Sequence, residues 1–280
     1  MITRKNFLIG AAATAATASA IDGESIAGGF GRARGLLGGA FMGAMLAQQG
    51  KLTAKDYVQS GLVAMWDGRE NAGFGVHNNS ATKWTDLVGN VGFSLKSRAS
   101  WSDSGLVFDN TSAIADRTIG FVSTLECVFE HSIVNNKVVV LNCESFGSGT
   151  GSCRGIFYNQ NATEGLGYYF DGNVENSKIL QTDGSKKSVA VTWAVGSHNS
   201  VSAERYLNSV RSTYDGAHSS GWGVTGYPYL CIGGRADHST GEYTYGGSGV
   251  MYALRLYNRA LTAAEIAHNY AVDKARFNLP

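Results

Sequence analysis

An all-β fold, a sandwich of two antiparallel sheets closed by a short C-terminal helix, is what the sequence predicts. Three observations carry that expectation. The 280 residues hold 37 glycines against two prolines, together with 13 Tyr, 12 Phe and 5 Trp, a composition suited to many strands joined by tight turns. From Ser60 onward, short apolar runs alternate with turn residues at the spacing of a sandwich. No helical stretches intervene, which excludes a doubly wound α/β fold, and no repeat of solenoid or propeller length is visible.

The chain opens with "MITRKNFLIGAAATAATASA". Arg4 and Lys5 precede an apolar run from Phe7, and Ala18 and Ala20 have the spacing of an A-x-A cleavage site, so residues 1–20 read as an export leader. The phrase "TRKNFLIG" resembles the bacterial twin-arginine signal, with Lys5 where the second arginine belongs. The expected location is therefore outside the cytoplasm: periplasm, cell surface or medium. Removing the leader leaves 21 basic against 22 acidic side chains, a net charge of −1, and no electrostatic footprint for nucleic acid.

Residues 21–56 read as a Gly-rich linker or short helices, and 57–280 as the folded domain. Leu36 to Ala47 is an apolar run of twelve residues, shorter than the roughly 20 that a membrane-spanning helix needs. Gly35, Gly39 and Gly43 repeat the small-xxx-small spacing of close helix contact. Membrane association or self-association through residues 35–47 stands beside the linker reading. In "LTAKDY", Thr53 and Asp56 have capping-box spacing at the domain's edge.

Candidate strands follow at 61–67, 105–110, 125–130, 137–144, 154–159, 165–171, 188–195, 202–208 and 229–234. Trp66, Trp84, Trp101 and Trp193 lie in or beside these runs and read as core. Four cysteines in an oxidising compartment allow three pairings. Cys143 and Cys153 flank the loop "ESFGSGTGS", where a hairpin would bring them together, so a disulfide is expected there. Cys127 shares a strand face with Leu125 and Phe129 and reads as a buried thiol. No C-x-x-C spacing suggests zinc.

The last segment, "VMYALRLYNRALTAAEIAHNY" (250–270), reads as strand, turn and helix. Val250, Tyr252, Leu254 and Leu256 alternate with Met251, Ala253, Arg255 and Tyr257, two unlike rows on opposite faces. Thr262 and Glu265 form a capping box, and Leu261 with Ile266 a hydrophobic staple. These residues point to architecture rather than catalysis.

The phrase Leu254 to Leu261, followed by Thr262 and Glu265, resembles the closing signature of LamG-like jelly-roll domains of the concanavalin A-like lectin and glucanase superfamily. "WTDLVGN" (Trp84, Asp86, Gly89, Asn90) resembles that family's early turn, and "YLCIGGR" with Gly233 and Gly234 its penultimate strand. "GLVAMWDG" and "GFGVH" resemble the opening of secreted bacterial members. In "RYLNS", Asn208 and Ser209 replace the family's Asn-Gly turn. The resemblance covers about residues 57–280 and implies two curved antiparallel sheets, a glycan ligand on the concave face or rim loops, and in some members a structural calcium ion. No cofactor is otherwise expected.

The residues themselves offer little catalytic machinery. Retaining glycosidases need two carboxylates about 5 Å apart, yet no E-x-D-x-x-E or E-x-D-x-E run occurs. Glu126 and Glu130 share a strand face but are separated by four positions, and Glu126 reads as a structural partner on the sheet surface. "GWGVTG" (221–226) satisfies G-x-G-x-x-G but runs into Tyr227 and Pro228, so a dinucleotide site is rejected. There is no G-x-S-x-G, H-E-x-x-H or Walker loop. What remains is aromatic: Trp222 in "HSSGWGVTG", and Tyr243 and Tyr245 in "DHSTGEYTYGGSG", with Arg235, Asp237 and His238 nearby. Sugars stack C–H faces on such rings while their hydroxyls seek polar side chains. The expectation is a noncatalytic binding or adhesion module for an extracellular glycan or surface glycoconjugate. A glycoside hydrolase or polysaccharide lyase, and a structural envelope protein, are the alternatives.

Overall fold

The computed structural model describes residues 52–111, 113–117, 119, 122–131, 138–143, 153–158, 166–170, 173–175, 184–195, 201–211, 217–218, 229–233, 235–236, 243–244 and 247–280. Among the described residues, two large antiparallel sheets, a small two-stranded ribbon and a C-terminal helix make up the fold, an all-β sandwich as the sequence led us to expect. The first sheet runs in the order Val210–Arg211, Val201–Leu207, Lys187–Val195, Thr124–His131, Gly247–Tyr257, Gly105–Thr111 and Ala99–Ser102. Leu62–Asp67 pairs beside the closing strand Gly247–Tyr257, and Ala217–His218 pairs beside Val201–Leu207. The second sheet runs Asn173–Glu175, Leu166–Phe170, Cys153–Tyr158, Val138–Cys143, Tyr229–Ile232, Ala113–Ala115, Phe93–Ser94 and Lys83–Trp84.

An apolar core lies between the sheets. The first contributes Trp66, Leu106, Phe108, Leu125, Phe129, Val191, Trp193, Leu254 and Leu256; the second contributes Trp84, Phe93, Ile156, Leu230 and Ile232. Trp66, Trp84 and Trp193 are fully buried, whereas Trp101 is half-buried at the margin and donates its indole N–H to Ala81 O at 2.8 Å. Cys127 is a buried thiol in this core. Gly233 ends its strand with φ +72°, and a Cβ there would stand 2.7 Å from the Phe108 ring, so both conformation and space call for glycine.

The closing strand departs from simple alternation. Met251 pairs with Phe129 and Ala253 with the next residue back, Val128, which leaves Tyr252 as the extra residue of a bulge. The bulge resets the phase: Met251, Leu254 and Leu256 face the shared core, while Tyr252, Ala253 and Tyr257 belong to clusters on the other face. The two rows read from the sequence therefore exchange partners at Tyr252. Asn208 and Ser209, both left-handed at φ 46° and 64°, make the two-residue hairpin turn between Leu207 and Val210. A mirror-image turn suits the strand twist, and Ser209 takes the conformation that glycine usually supplies there.

The helix Ala263–Phe277 packs on the outer face of the first sheet. Its cap is the expected box: Glu265 N donates to Thr262 Oγ1 at 3.3 Å, and Thr262 N donates to Glu265 Oε2 at 2.9 Å. Leu261 and Ile266, the staple pair, are buried together with Tyr257 and Tyr206. Arg259 forks onto Glu265 at 2.9 and 2.6 Å, tying the turn to the helix start. The helix stops at Asn278, which is left-handed at φ 55°. Thr53 caps a single 3-10 turn, Ala54–Asp56, through the second capping box. That segment packs against the same face: Val58 N donates to Asn269 Oδ1 at 2.9 Å, and Arg276 Nη1 donates to Leu52 O at 2.9 Å.

Candidate functional site

Of the residues expected to bind a ligand, Arg235 and Tyr243 fall on one described element. A two-stranded ribbon pairs Arg235 with Thr244 and Ala236 with Tyr243. The register sets the two residues on adjoining rungs, and so on opposite faces of the ribbon. Trp222, Asp237, His238 and Tyr245 lie outside the described residues, as do the leader and the Gly-rich segment with residues 35–47. Cys143 and Cys153 are directly opposite in the register of neighbouring strands.

The densest polar constellation is one that sequence reasoning missed. It lies on the outer face of the first sheet, beneath the helix. Arg255 donates from Nε to Glu126 Oε2 at 2.9 Å and grips Asp273 with both Nη atoms at 2.8 and 2.7 Å. Ser188 Oγ adds a bond to Asp273 at 3.0 Å, and Asn269 Nδ2 reaches Glu126 at 2.7 Å and Tyr257 OH at 3.0 Å. Arg276 pairs with Asp67 at 2.9 Å and Glu70 at 3.0 Å. The Tyr57 ring lies 4.1 Å from the Arg255 guanidinium, a close cation–π contact.

Four carboxyl groups here meet two guanidinium groups, and burial shows in their protonation. It pushes Asp67 up to about 6 in spite of the Arg276 charge beside it. Among the described residues, Asp67 Oδ2 is buried with no hydrogen-bond partner. Glu126 is raised too, burial outweighing Arg255, and the Tyr57 hydroxyl is held well above its usual value by burial and then by Asp273. Raised carboxyls beside arginines are what acid–base chemistry uses. In this case Arg255, Asp273 and Asp67 are wholly buried and Glu126, Glu70 and Arg276 nearly so, and a sealed site cannot admit a sugar. The constellation is a lock for the helix. Glu126, expected on the sheet surface, is 2% exposed because the helix covers that surface. The signal in the sequence was Arg255 inside an apolar strand, together with Asp273 and Arg276 on the buried side of an amphipathic helix.

A second feature does face solvent. In the loop 68–80, Glu70 Oε2 accepts from Gly75 N at 2.8 Å, and the Asn71 amide clasps Asn78 N and O at 2.8 and 2.9 Å. A one-rung bridge joins Gly73 and Val76. These bonds present Phe74 and Val76 at the tip, 44% and 50% exposed, with Lys55 Nζ 5.0 Å from the Phe74 ring. His77 is anchored behind them, its Nδ1 on Gly68 O at 2.7 Å and its Nε2 on Asn79 Oδ1 at 2.8 Å. An exposed ring held this firmly can stack on a flat apolar face at little conformational cost.

Among the described residues, no group of three or more His, Cys, Asp or Glu side chains is arranged to hold a metal. Asp86, in the family-like turn, uses its carboxylate on the amides of Met65 at 3.0 Å, Val88 at 2.9 Å and Val91 at 3.3 Å. Its role there is to fold the turn. No helix among the described residues is long and apolar enough to cross a membrane.

Sheets, core and surface define an all-β sandwich with a locked helix on one face. Among solved structures, a Trypanosoma rangeli sialidase in complex with sialic acid is similar at TM-score 0.57 and 15% identity, over 88% of this chain and 40% of that one. Another structure of Trypanosoma rangeli sialidase gives 0.55 at 14% identity, over 78% of this chain and 34% of that one. At such identity the likeness is one of fold, and the match spans 34–40% of the length of these enzymes. No family model matches the chain, and no curated protein matches it.

Proposed function

We propose that this chain is an exported, noncatalytic binding or adhesion module of the LamG-like jelly-roll kind, with a carbohydrate outside the cytoplasm as its ligand. The leader 1–20 and the connecting segment 21–56 belong to this proposal. The observation that carries it is the exposed Phe74 at the tip of the hydrogen-bonded 68–80 loop, a ring open to a sugar face. The ribbon adds Arg235 and Tyr243 on adjoining rungs, one to each of its faces. The fold shared with a sialidase that holds sialic acid supports a glycan as the class of ligand.

The test is binding of the full chain to a broad glycan array, with and without calcium. Selective binding that falls at least tenfold in Tyr243→Ala or Trp222→Ala supports the reading, and Phe74→Ala tells the loop's part from the ribbon's. Silence in both conditions overturns it. Product release from a polysaccharide panel would instead favour a hydrolase or lyase, and concentration-dependent association abolished by deleting residues 35–47 a structural envelope role.

A further inference from the structure

We infer that Cys143 and Cys153 form a structural disulfide across two neighbouring strands of the second sheet, and that Cys127 and Cys231 remain thiols. The register carries this. Val138–Cys143 and Cys153–Tyr158 are antiparallel, with Asn142 opposite Arg154 and Cys143 directly opposite Cys153. Directly opposed residues in an antiparallel pair have Cα atoms about 4.5 or 5.5 Å apart, depending on the rung. Both values fall inside the roughly 4.4–6.8 Å that a disulfide spans.

The other cysteines are less well placed. Cys231 stands opposite Leu141, and Cys143 opposite Tyr229, so Cys143 and Cys231 are diagonal neighbours. Diagonal positions lie about 7–8 Å apart, beyond the range of the bond. Cys127 belongs to the first sheet and is packed in the core, where burial holds its thiol far above the usual range and so out of the reactive thiolate form.

The chemistry is two thiol–disulfide exchanges. One thiolate of the pair attacks a disulfide oxidant of the glutathione type, forming a mixed disulfide and releasing one glutathione thiol. The second cysteine displaces the other, so the two cysteines are oxidised by two electrons, the oxidant is reduced by two, and their protons leave on the glutathione thiols. The bond closes residues 144–152 into a ring at the end of the hairpin. This inference is independent of the ligand, and its failure would leave the carbohydrate proposal standing.

The experiment is peptide mapping of the full chain after equilibration in a glutathione buffer rich in the oxidised form, with thiols alkylated under denaturing conditions. The expected result is a reducible link between the peptides carrying Cys143 and Cys153, with Cys127 and Cys231 alkylated. Cys231→Ser should keep that link. Alkylation at all four cysteines, or a link from Cys143 to Cys231 or Cys127, overturns the inference. For a loop of this length the chain-entropy argument predicts that reduction lowers the Tm by about 5–10 °C. The mapping on the unaltered chain decides the matter even where a variant fails to fold.

Discussion

The two faces of the first sheet are buried by opposite means. Toward the second sheet, Trp66, Leu125, Val191, Leu254 and Leu256 meet an apolar partner surface. Toward the helix, Glu126, Arg255 and Asp273 meet in a network of charge-assisted hydrogen bonds. Leu254 and Arg255 are consecutive and both fully buried, yet one rests on dispersion and the hydrophobic effect and the other on Coulomb attraction offsetting desolvation. The difference teaches a division of labour. An apolar surface tolerates many arrangements of similar volume, whereas Arg255 reaches Glu126 and Asp273 together in one docking of the helix.

The largest effects should come from breaking each face in turn. Leu254→Ala is expected to cost about 2–5 kcal/mol by cavity formation, with the same value at pH 5 and pH 8. Arg255→Met is expected to cost about 3–5 kcal/mol, since it strands two buried carboxylates. Its penalty should be larger at pH 8 than at pH 5, where Glu126 can take up a proton. Denaturant unfolding of both variants at the two pH values checks this, and equal pH profiles would erase the distinction between the faces.

A subtler variant sharpens it. Asp67 is raised to about 6 in the fold, against about 3.9 in an unfolded chain. A carboxyl shifted in that direction stabilises the fold fully below pH ~4 and loses that contribution as the pH rises through 6. The loss by pH 8 is on the order of 2–3 kcal/mol. Asp67→Asn should flatten this part of the stability profile while the rest of the curve keeps its shape. An unaltered slope would assign the pH dependence to another group.

The smallest effect belongs to the helix cap, which touches neither buried face. Thr262→Ala should cost about 1 kcal/mol. Glu265 is lowered to about 2 by its bond from Arg259 and then by the Thr262 amide. That contribution is present above pH ~4.3 and fades as the pH falls toward 2, the reverse of Asp67. Thermal melts of Thr262→Ala from pH 3 to 8 would show whether the cap acts locally.

Local grammar was legible in the sequence because it is written in adjacent residues. Thr262 with Glu265, Leu261 with Ile266, and the apolar strand runs each depend on neighbours within a few positions, and each is found where expected. The helix lock was not legible in the same way. Arg255 and Glu126 are 129 positions apart, and Arg276 and Glu70 are 206 apart, so only the paired strands and the docked helix select these partners. The bulge at Tyr252 escaped for a related reason, since a strand read alone shows its alternation and not its register against Thr124–His131. Two-residue strands such as Lys83–Trp84 and Phe93–Ser94 carry too few residues to show a period. For the candidate ligand surface, composition picked out Arg235 and Tyr243, and the pairing of the ribbon sets them on adjoining rungs and opposite faces, which composition does not show.

The clasp between the first described residues and the helix has a topological consequence. Leu52 O is held by Arg276, Asp56 O by His268 and the Val58 amide by Asn269. Where the folded chain enters and where it leaves are therefore neighbours, and a short linker could join them. The Asn208–Ser209 turn, followed by the exposed Val210, offers a place to open the chain instead. A circularly permuted molecule would keep every strand pairing beyond that turn, so the order in which this fold is written along the polypeptide is separable from the fold itself.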